Sequence, residues 1–210
     1  MIKLRSFFIL LALAIAPIAA CASPPEEGGT AEGGSEDGET AVASGSRLQT
    51  VLDRGELICG VEGNIPGFSF VDESGTYSGL DVDFCRAVAA ALFDDPEAVQ
   101  YRNLDSTERF TALSSGEVDM LSRNTTWTIS RDTSVGLEFA PTTFYDGQGM
   151  LVGADSGIST LEDFAGRSVC VETGTTTELN LTDQMSKLGV DFEPVVFQDA
   201  NAAYAAYSEG

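Results

Sequence analysis

The segment "LSRNTTWTISR", residues 121–131, gathers hydroxyls, an amide, an indole and two arginines in one short stretch. Arg131 carries a planar guanidinium that matches a carboxylate through two parallel hydrogen bonds. The Thr126 hydroxyl can stand beside it, and the Asn124 carbonyl can accept from an ammonium. A second anion-holding group lies in "TGTTTE", residues 173–178, where Thr175 and Thr176 open a helical pattern. Free N–H groups and the dipole at a helix start attract negative charge. Residue types alone also fit a plainer picture. On composition the first segment favours a solvated arginine with edge-strand threonines, and Thr175 and Thr176 can be simple N-caps.

Chemistry beyond holding a ligand has little support. The chain has no histidine, which removes the commonest general base and any Cys/His metal cluster. No metal or cofactor is expected. Glu62 and Glu172 can act as acid or base in principle, but nothing in their neighbourhood singles them out. With 33 acids against 11 bases the net charge is −22. Nucleic-acid binding needs a basic footprint and is excluded as a role.

These residues must be positioned by an alternation of strands and helices. "ELICGV" (56–61), "AVQYRNL" (98–104), "EVDML" (117–121), "GMLVGA" (149–154), "RSVCVE" (167–172) and "DFEPVVF" (191–197) read as strands. "IPGFSF" (65–70) reads as a loop, and "DESGTYSG" (72–79) as a turn. Val82, Cys85, Val88, Ala89 and Leu92 repeat with a helical period over 80–93. Residues 106–116 form a short helix that Ser106 or Thr107 caps and Gly116 ends. Residues 159–166 form another, with Ser159 as cap, Glu162 completing a capping box and Gly166 as stop. Residues 173–189 read as a loop entering a helix, and residues 199–210 begin another. Strands alternating with helices imply an α/β class with a mainly parallel sheet. Cys59 at a strand end and Cys85 in the next helix can pair; Cys170 is then odd.

The first 46 residues stand apart. Lys3 and Arg5 precede an apolar run, residues 7–16, shorter than the about 20 residues needed to span a bilayer. It is the core of a signal peptide, residues 1–20. The stretch "IAAC" ending at Cys21 resembles a bacterial lipobox, with Cys21 as the lipidated residue; the plainer alternative is an ordinary cut near Ala20. Residues 22–46 hold six acids and no base among Gly, Ser and Pro. Such a segment cannot bury enough apolar area to offset its ordering entropy and is read as an extended tether, so that 21–46 form a lipid-anchored linker.

The stretches "LICGVEGNIPGFSF", "GLDVDFCRAVAAALF", "ERFTALSSGEVDMLSRNTTWTISRDTS", "FYDGQGMLV" and "VCVETGTTTELNL" occur in an order and spacing that resemble the solute-binding proteins of amino-acid ABC transporters, most closely the general L-amino-acid, glutamate-type group. The resemblance covers nearly all of 56–198. It implies a two-lobed, periplasmic-binding-protein-like (type II) fold, with lobe 1 at 47–145, a first crossover near 145–150 and a partial lobe 2 at 146–210. It implies that the chain is a fragment lacking the acid for the ligand ammonium and a cysteine partner for Cys170. It assigns Asn124, Thr126 and Arg131 to the main-chain ends of an amino acid, with Thr175 and Thr176 completing the carboxylate site from lobe 2. Arg109, with Ser106 beside it, falls where binders of acidic ligands place a side-chain arginine; the alternative is an exposed helix residue. Glu62 departs from the basic residue such binders can carry, which suits a polar or broad preference. Phe68 is a candidate wall against the ligand's aliphatic part, or core. Trp127 is read as packing on the other face of a strand.

Binding and delivery to a permease is therefore the expected role, by a monomer lipid-anchored outside the cytoplasm. No enzymatic activity is expected. The alternatives are an enzyme of the same fold, such as a prephenate or arogenate dehydratase, or the sensing domain of a receptor. Mass spectrometry of the membrane-bound protein should find a diacylglyceryl adduct on Cys21. A mature soluble protein beginning at Ala22 or earlier with a free thiol would overturn the lipobox.

Overall fold

In the computed structural model, residues 45–209 are described. The expected signal peptide, Cys21 and the expected acidic tether up to residue 44 lie outside them, while Gly45 and Ser46, read with the tether, are described. Helix α1 (Arg47–Arg54) opens where Ser46 accepts a hydrogen bond from the Gln49 amide and ends at Gly55, whose φ of 80° suits glycine. Strand β1 (Leu57–Val61) follows, with four of its five residues buried. A strand covered on both faces reads as a continuous apolar run, as "LICGV" does.

The stretch after β1 corrects the sequence reading. "IPGFSF" and "DESGTYSG" hold a three-stranded antiparallel meander of β2 (Asn64–Ile65), β3 (Ser69–Val71) and β4 (Tyr77–Ser78). Strands of two or three residues are too short for alternation to show. Gly79 joins the meander to the next helix at φ 115°, and a Cβ there would lie 2.4 Å from the Phe68 carbonyl oxygen. Helix α2 (Leu80–Phe93) buries Asp81, Val82, Cys85 and Ala89. Strand β5 (Val99–Asn103) and strand β6 (Met120–Leu121) flank β1 in a parallel sheet of order β5-β1-β6.

Between β5 and β6 lies α3 (Arg109–Ser115). Its cap is neither Ser106 nor Thr107. The N-cap is Glu108, which makes no side-chain capping bond, and the Asp105 carboxylate accepts from the Thr107 and Glu108 amides in the preceding turn at 2.7 and 2.8 Å. After β6 the threonine-rich segment is not an edge strand. Thr128 caps a short helix, α4 (Ile129–Ser134), by accepting from the Arg131 amide. Trp127 is 53% exposed and packs on no strand face.

"GMLVGA" forms no ladder. Met150 and Val152 do alternate onto a core of Phe164, Val169, Val171, Leu181 and Met185, so the period reports burial without strand pairing. The 3-10 turn Leu161–Phe164 is capped one residue later than the sequence suggests: Thr160 is the cap and Asp163 closes the box. Strands β7 (Ser168–Glu172) and β8 (Glu193–Phe197) pair in parallel across helix α5 (Thr176–Leu188), and helix α6 (Ala200–Glu209) follows.

Two further clusters make the core around the first sheet. One centres on Val51, Leu57, Cys59, Val61, Cys85 and Ala89, the other on Leu104, Ala112 and Val118. Asp119, at the start of β6, accepts from the Ile58 amide at 2.7 Å and is ion-paired with both Arg47 and Arg54, which staples α1 to the sheet. Cys59 and Cys85 are bonded, with Cα atoms 6.2 Å apart, and tie β1 to α2. Cys170 forms no bond among the described residues. Among those residues no helix is long and apolar enough to cross a membrane.

The Cys59–Cys85 bond closes a loop of 26 residues. Constraining the unfolded chain by such a loop contributes about 3–4 kcal/mol. Denaturant titration of the Cys59→Ala/Cys85→Ala variant should show a loss of that order, and a non-reducing peptide map should recover the two cysteines on one fragment. A midpoint unchanged from the parent would contradict it.

Candidate functional site

The carboxyl ends of β1, β5 and β6 meet at one place, the position where open parallel sheets bind ligands. Each contributes what lies just past the strand: Glu62 after β1, the 104–106 turn after β5, and Arg123 with Asn124 after β6. The sequence reading gives Arg123 no role, yet its side chain is only 1% exposed and holds the three ends together. It is ion-paired with Glu62, whose side chain is 3% exposed. It donates to the Leu104 carbonyl at 2.7 Å, to the Ser106 hydroxyl at 3.1 Å, and to the Asn124 side-chain oxygen at 3.1 and 3.3 Å. The only hint in the sequence is a cation two residues past an apolar strand, in a chain with 11 bases among 210 residues.

Arg109 and Arg131 complete a group of three guanidiniums. Arg109 is the first residue of α3 and is 2% exposed, so it is not a surface helix residue. It lies 4.7 Å from the Phe110 ring centroid and Arg131 lies 5.3 Å from it. Both donate to the same acceptor, the Gly174 carbonyl, at 3.2 and 3.4 Å. Arg131 also donates to the Thr126 carbonyl at 2.7 Å. Gly174 sits at φ 72°, and a Cβ would come within 3.0 Å of the Ser106 carbonyl oxygen. Only glycine suits both the backbone angle and the close approach.

Other residues cross the same gap. The Thr126 and Thr176 hydroxyls are 3.1 Å apart. Thr175 caps α5, accepting from the Glu178 amide and donating to the Glu172 carbonyl at 2.7 Å. The structure thus gathers Glu62, Ser106, Arg109, Asn124, Thr126, Arg131, Thr175 and Thr176. Two of them have commitments the sequence does not show. The Asn124 side-chain oxygen accepts from Arg123, and the Glu62 charge is matched by Arg123. Phe68 lies edge-on to Phe144, centroids 5.0 Å apart, and neither Arg109 nor Arg131 stacks on it.

Electrostatics follow from burial. Burial lowers the Arg109 pKa to about 10, and the charges of Arg123 and Arg131 push the same way, so it stays protonated at neutral pH. Arg131 is lowered by burial and by Arg123. Burial raises Glu62 above the ordinary glutamate value of 4.5; Arg123 opposes the rise and Glu172 adds to it. A hollow of about 380 Å³ opens here, lined by Glu62, Asn64, Asn103, Asp105 and Asp199. A larger one, about 630 Å³, lies against β7 and α6 among Met150, Val171 and Tyr204. Neither lining includes the three guanidiniums; the smaller hollow is the one whose wall carries Glu62, the carboxylate ion-paired with Arg123.

Residues 57–207 match the family of bacterial extracellular solute-binding proteins, family 3. The chain belongs to this family. It is 47% identical over 170 residues to the general L-amino acid-binding periplasmic protein AapJ of Rhizobium johnstonii, covering 81% of this chain and 50% of the relative. It is 45% identical over 169 residues to the glutamate/glutamine/aspartate/asparagine-binding protein BztA of Rhodobacter capsulatus, covering 80% and 50%. The chain therefore spans about half the length of these relatives. A solved ABC transporter periplasmic binding protein from Brucella ovis, with glutathione bound, is 50% identical with a TM-score of 0.73, over 78% of this chain and 51% of that one. The fold is that of the α/β, two-lobed type II periplasmic binding proteins.

Carboxyl-carbon NMR should place the Glu62 midpoint above 4.5, and Arg123→Met should move it higher. A raised midpoint means the folded chain holds the proton more tightly than the unfolded one. The stability linked to Glu62 is then full below the unfolded value and is lost as pH rises through the folded midpoint. Glu62→Gln should remove that loss from the stability profile; a profile identical to the parent's would contradict it.

Proposed function

We propose that the chain binds L-amino acids, of polar, acidic or broad range, and delivers them to the permease of an ABC transporter. The observation that carries this reading is the convergence of Arg109 and Arg131 on one carbonyl oxygen, with Arg123 behind them. Two guanidiniums sharing a single neutral acceptor retain unused donors and mutual repulsion. A ligand carboxylate relieves both. The names of the relatives support amino acids as the class.

In this reading residues 47–145 form lobe 1 and 146–210 belong to lobe 2. The ligand enters between the first sheet and the β7-β8 sheet. Arg131 takes the α-carboxylate with Thr126, and the amides and hydroxyls at Thr175 and Thr176 close on it from the second side. Arg109 and Ser106 face the ligand side chain. Asn124 serves this site through its backbone carbonyl, because its side-chain oxygen is held by Arg123. The protein acts outside the cytoplasm, anchored through lipid on Cys21 and as a monomer. Binding is preferred to dehydratase chemistry because Glu62 is engaged by Arg123 and the relatives are named binding proteins.

Calorimetry on the whole protein tests the assignment. Removing one member of a buried, hydrogen-bonded charge pair costs roughly 2–5 kcal/mol, about 30- to several thousand-fold in affinity, and Arg131→Ala should fall in that range. Arg131→Lys should lose nearly as much, since a point charge does not reproduce the planar fork. Arg109→Ala should weaken glutamate and aspartate more than alanine. Parent-like affinity in Arg131→Ala would sink the reading.

A further inference from the structure

We infer that the buried Glu62–Arg123 pair sets the charge selectivity of the cleft: Arg123 keeps Glu62 from acting as a free carboxylate, so that ligands with acidic or amide ends are admitted where an unpaired Glu62 would select basic ones. The inference rests on the amino-acid-binding reading and names a specificity-determining residue that lies behind the ligand groups.

Glu62 lines the 380 Å³ hollow, and Arg123 lies behind it. The other carboxylates of that hollow are held by backbone amides. Asp105 accepts from the Thr107 and Glu108 amides, and Asp199 accepts from the Ala202 amide at 2.9 Å. Glu62 alone among the three is matched by a side-chain cation. A cation matched one-to-one cancels most of the field that a carboxylate would project into the hollow. Arg123 cannot swing away to leave Glu62 open. Its guanidinium is fixed by Leu104, Ser106 and Asn124, on two other strand ends. Arg123 therefore acts as a positioning residue, through Glu62, and selectivity follows from which member of the pair is present.

The pair can be unbalanced in either direction, which separates a selectivity role from a scaffold role. Glu62→Gln keeps the shape and leaves one additional net positive charge at the hollow. Arg123→Met leaves one additional negative charge. The double variant Glu62→Gln/Arg123→Met is neutral again. Affinities of the whole protein for L-glutamate, L-glutamine and L-arginine would be measured by calorimetry, with thermal unfolding as a control for folding. The glutamate-to-glutamine affinity ratio should rise roughly tenfold in Glu62→Gln, an effect of one partly screened charge at short range. It should fall by a similar factor in Arg123→Met, with a gain for arginine. The double variant should return the ratio to within about threefold of the parent, since coupled neighbours compensate.

If Arg123→Met does not fold, Glu62→Gln against the parent still decides. A parent that binds none of the three ligands would overturn the amino-acid reading. A parent that binds, with the Glu62→Gln ratio within about twofold of its own, would leave that reading standing and overturn this inference. Equal losses for all three ligands in every variant would likewise make the pair a scaffold only.

Discussion

A guanidinium that is 1% exposed is the constraint around which the first half of this protein is arranged. Moving such an ion out of water costs several kcal/mol, and only close, well-directed acceptors offset it. Arg123 has four: the Glu62 carboxylate, the Leu104 carbonyl, the Ser106 hydroxyl and the Asn124 amide oxygen. They come from the ends of three different strands. Satisfying the ion therefore fixes where β1, β5 and β6 stop and how the chain leaves each. Glu62, Glu172, Asp105 and Asp81, in that order, favour its charge, while burial opposes it. Loss of the cation would strand Glu62 and Asp81 as buried carboxylates whose pKa values burial already raises.

The other groups gathered at the strand ends inherit their geometry from this arrangement. Ser106 is held by Arg123, and the helix that begins three residues later carries Arg109 and Phe110. Phe110 offers its ring to two guanidiniums, an attraction of about 0.5–2 kcal/mol each that helps them to sit together. Arg131 is placed by a different device. Thr128 caps α4 with its hydroxyl on the Arg131 amide, and the Arg131 side chain returns to the Thr126 carbonyl. The result is a loop closed on itself, with one arm of the guanidinium left for the Gly174 carbonyl across the gap. Glycine at 174 allows the approach, and a side chain there would meet the Ser106 backbone.

The elements that were legible from the residues are those whose burial has a period. The 80–93 helix shows its stripe, β1 and β7 show continuous or alternating apolar runs, and α5 has a threonine cap and a terminal glycine. That Arg131, Thr126 and Thr176 come together was legible because residue type and family resemblance agree on grouping them. What stayed hidden depends on tertiary contact. The β2-β3-β4 meander has strands too short to carry a period. "GMLVGA" has the alternation of a strand but lacks a ladder partner among the described residues. Thr128 has the composition of a strand residue and the job of a helix cap. Arg123 was illegible for a deeper reason: a lone arginine is more often solvated than buried, and only the meeting of three strand ends provides acceptors enough to bury it.

The distribution of charge gives the site its character. The chain carries a net −22, so its surface repels an approaching anion. At physiological ionic strength that repulsion fades within about 8 Å. Beyond that range the acidity matters for solubility and not for recognition. Three of the 11 bases stand together at the strand ends, two of them 8% exposed or less. Screening by salt does not reach such groups as it reaches the surface carboxylates. In the proposed reading, selection therefore occurs at these gathered groups, by contact and by the balance of a few fixed charges. In that setting a buried ion pair has a use that its net stability would not explain. In the proposed reading it lets a carboxylate and a guanidinium shape the wall of the cleft while contributing little net charge to it, and leaves Arg109 and Arg131 as the cations a ligand would meet.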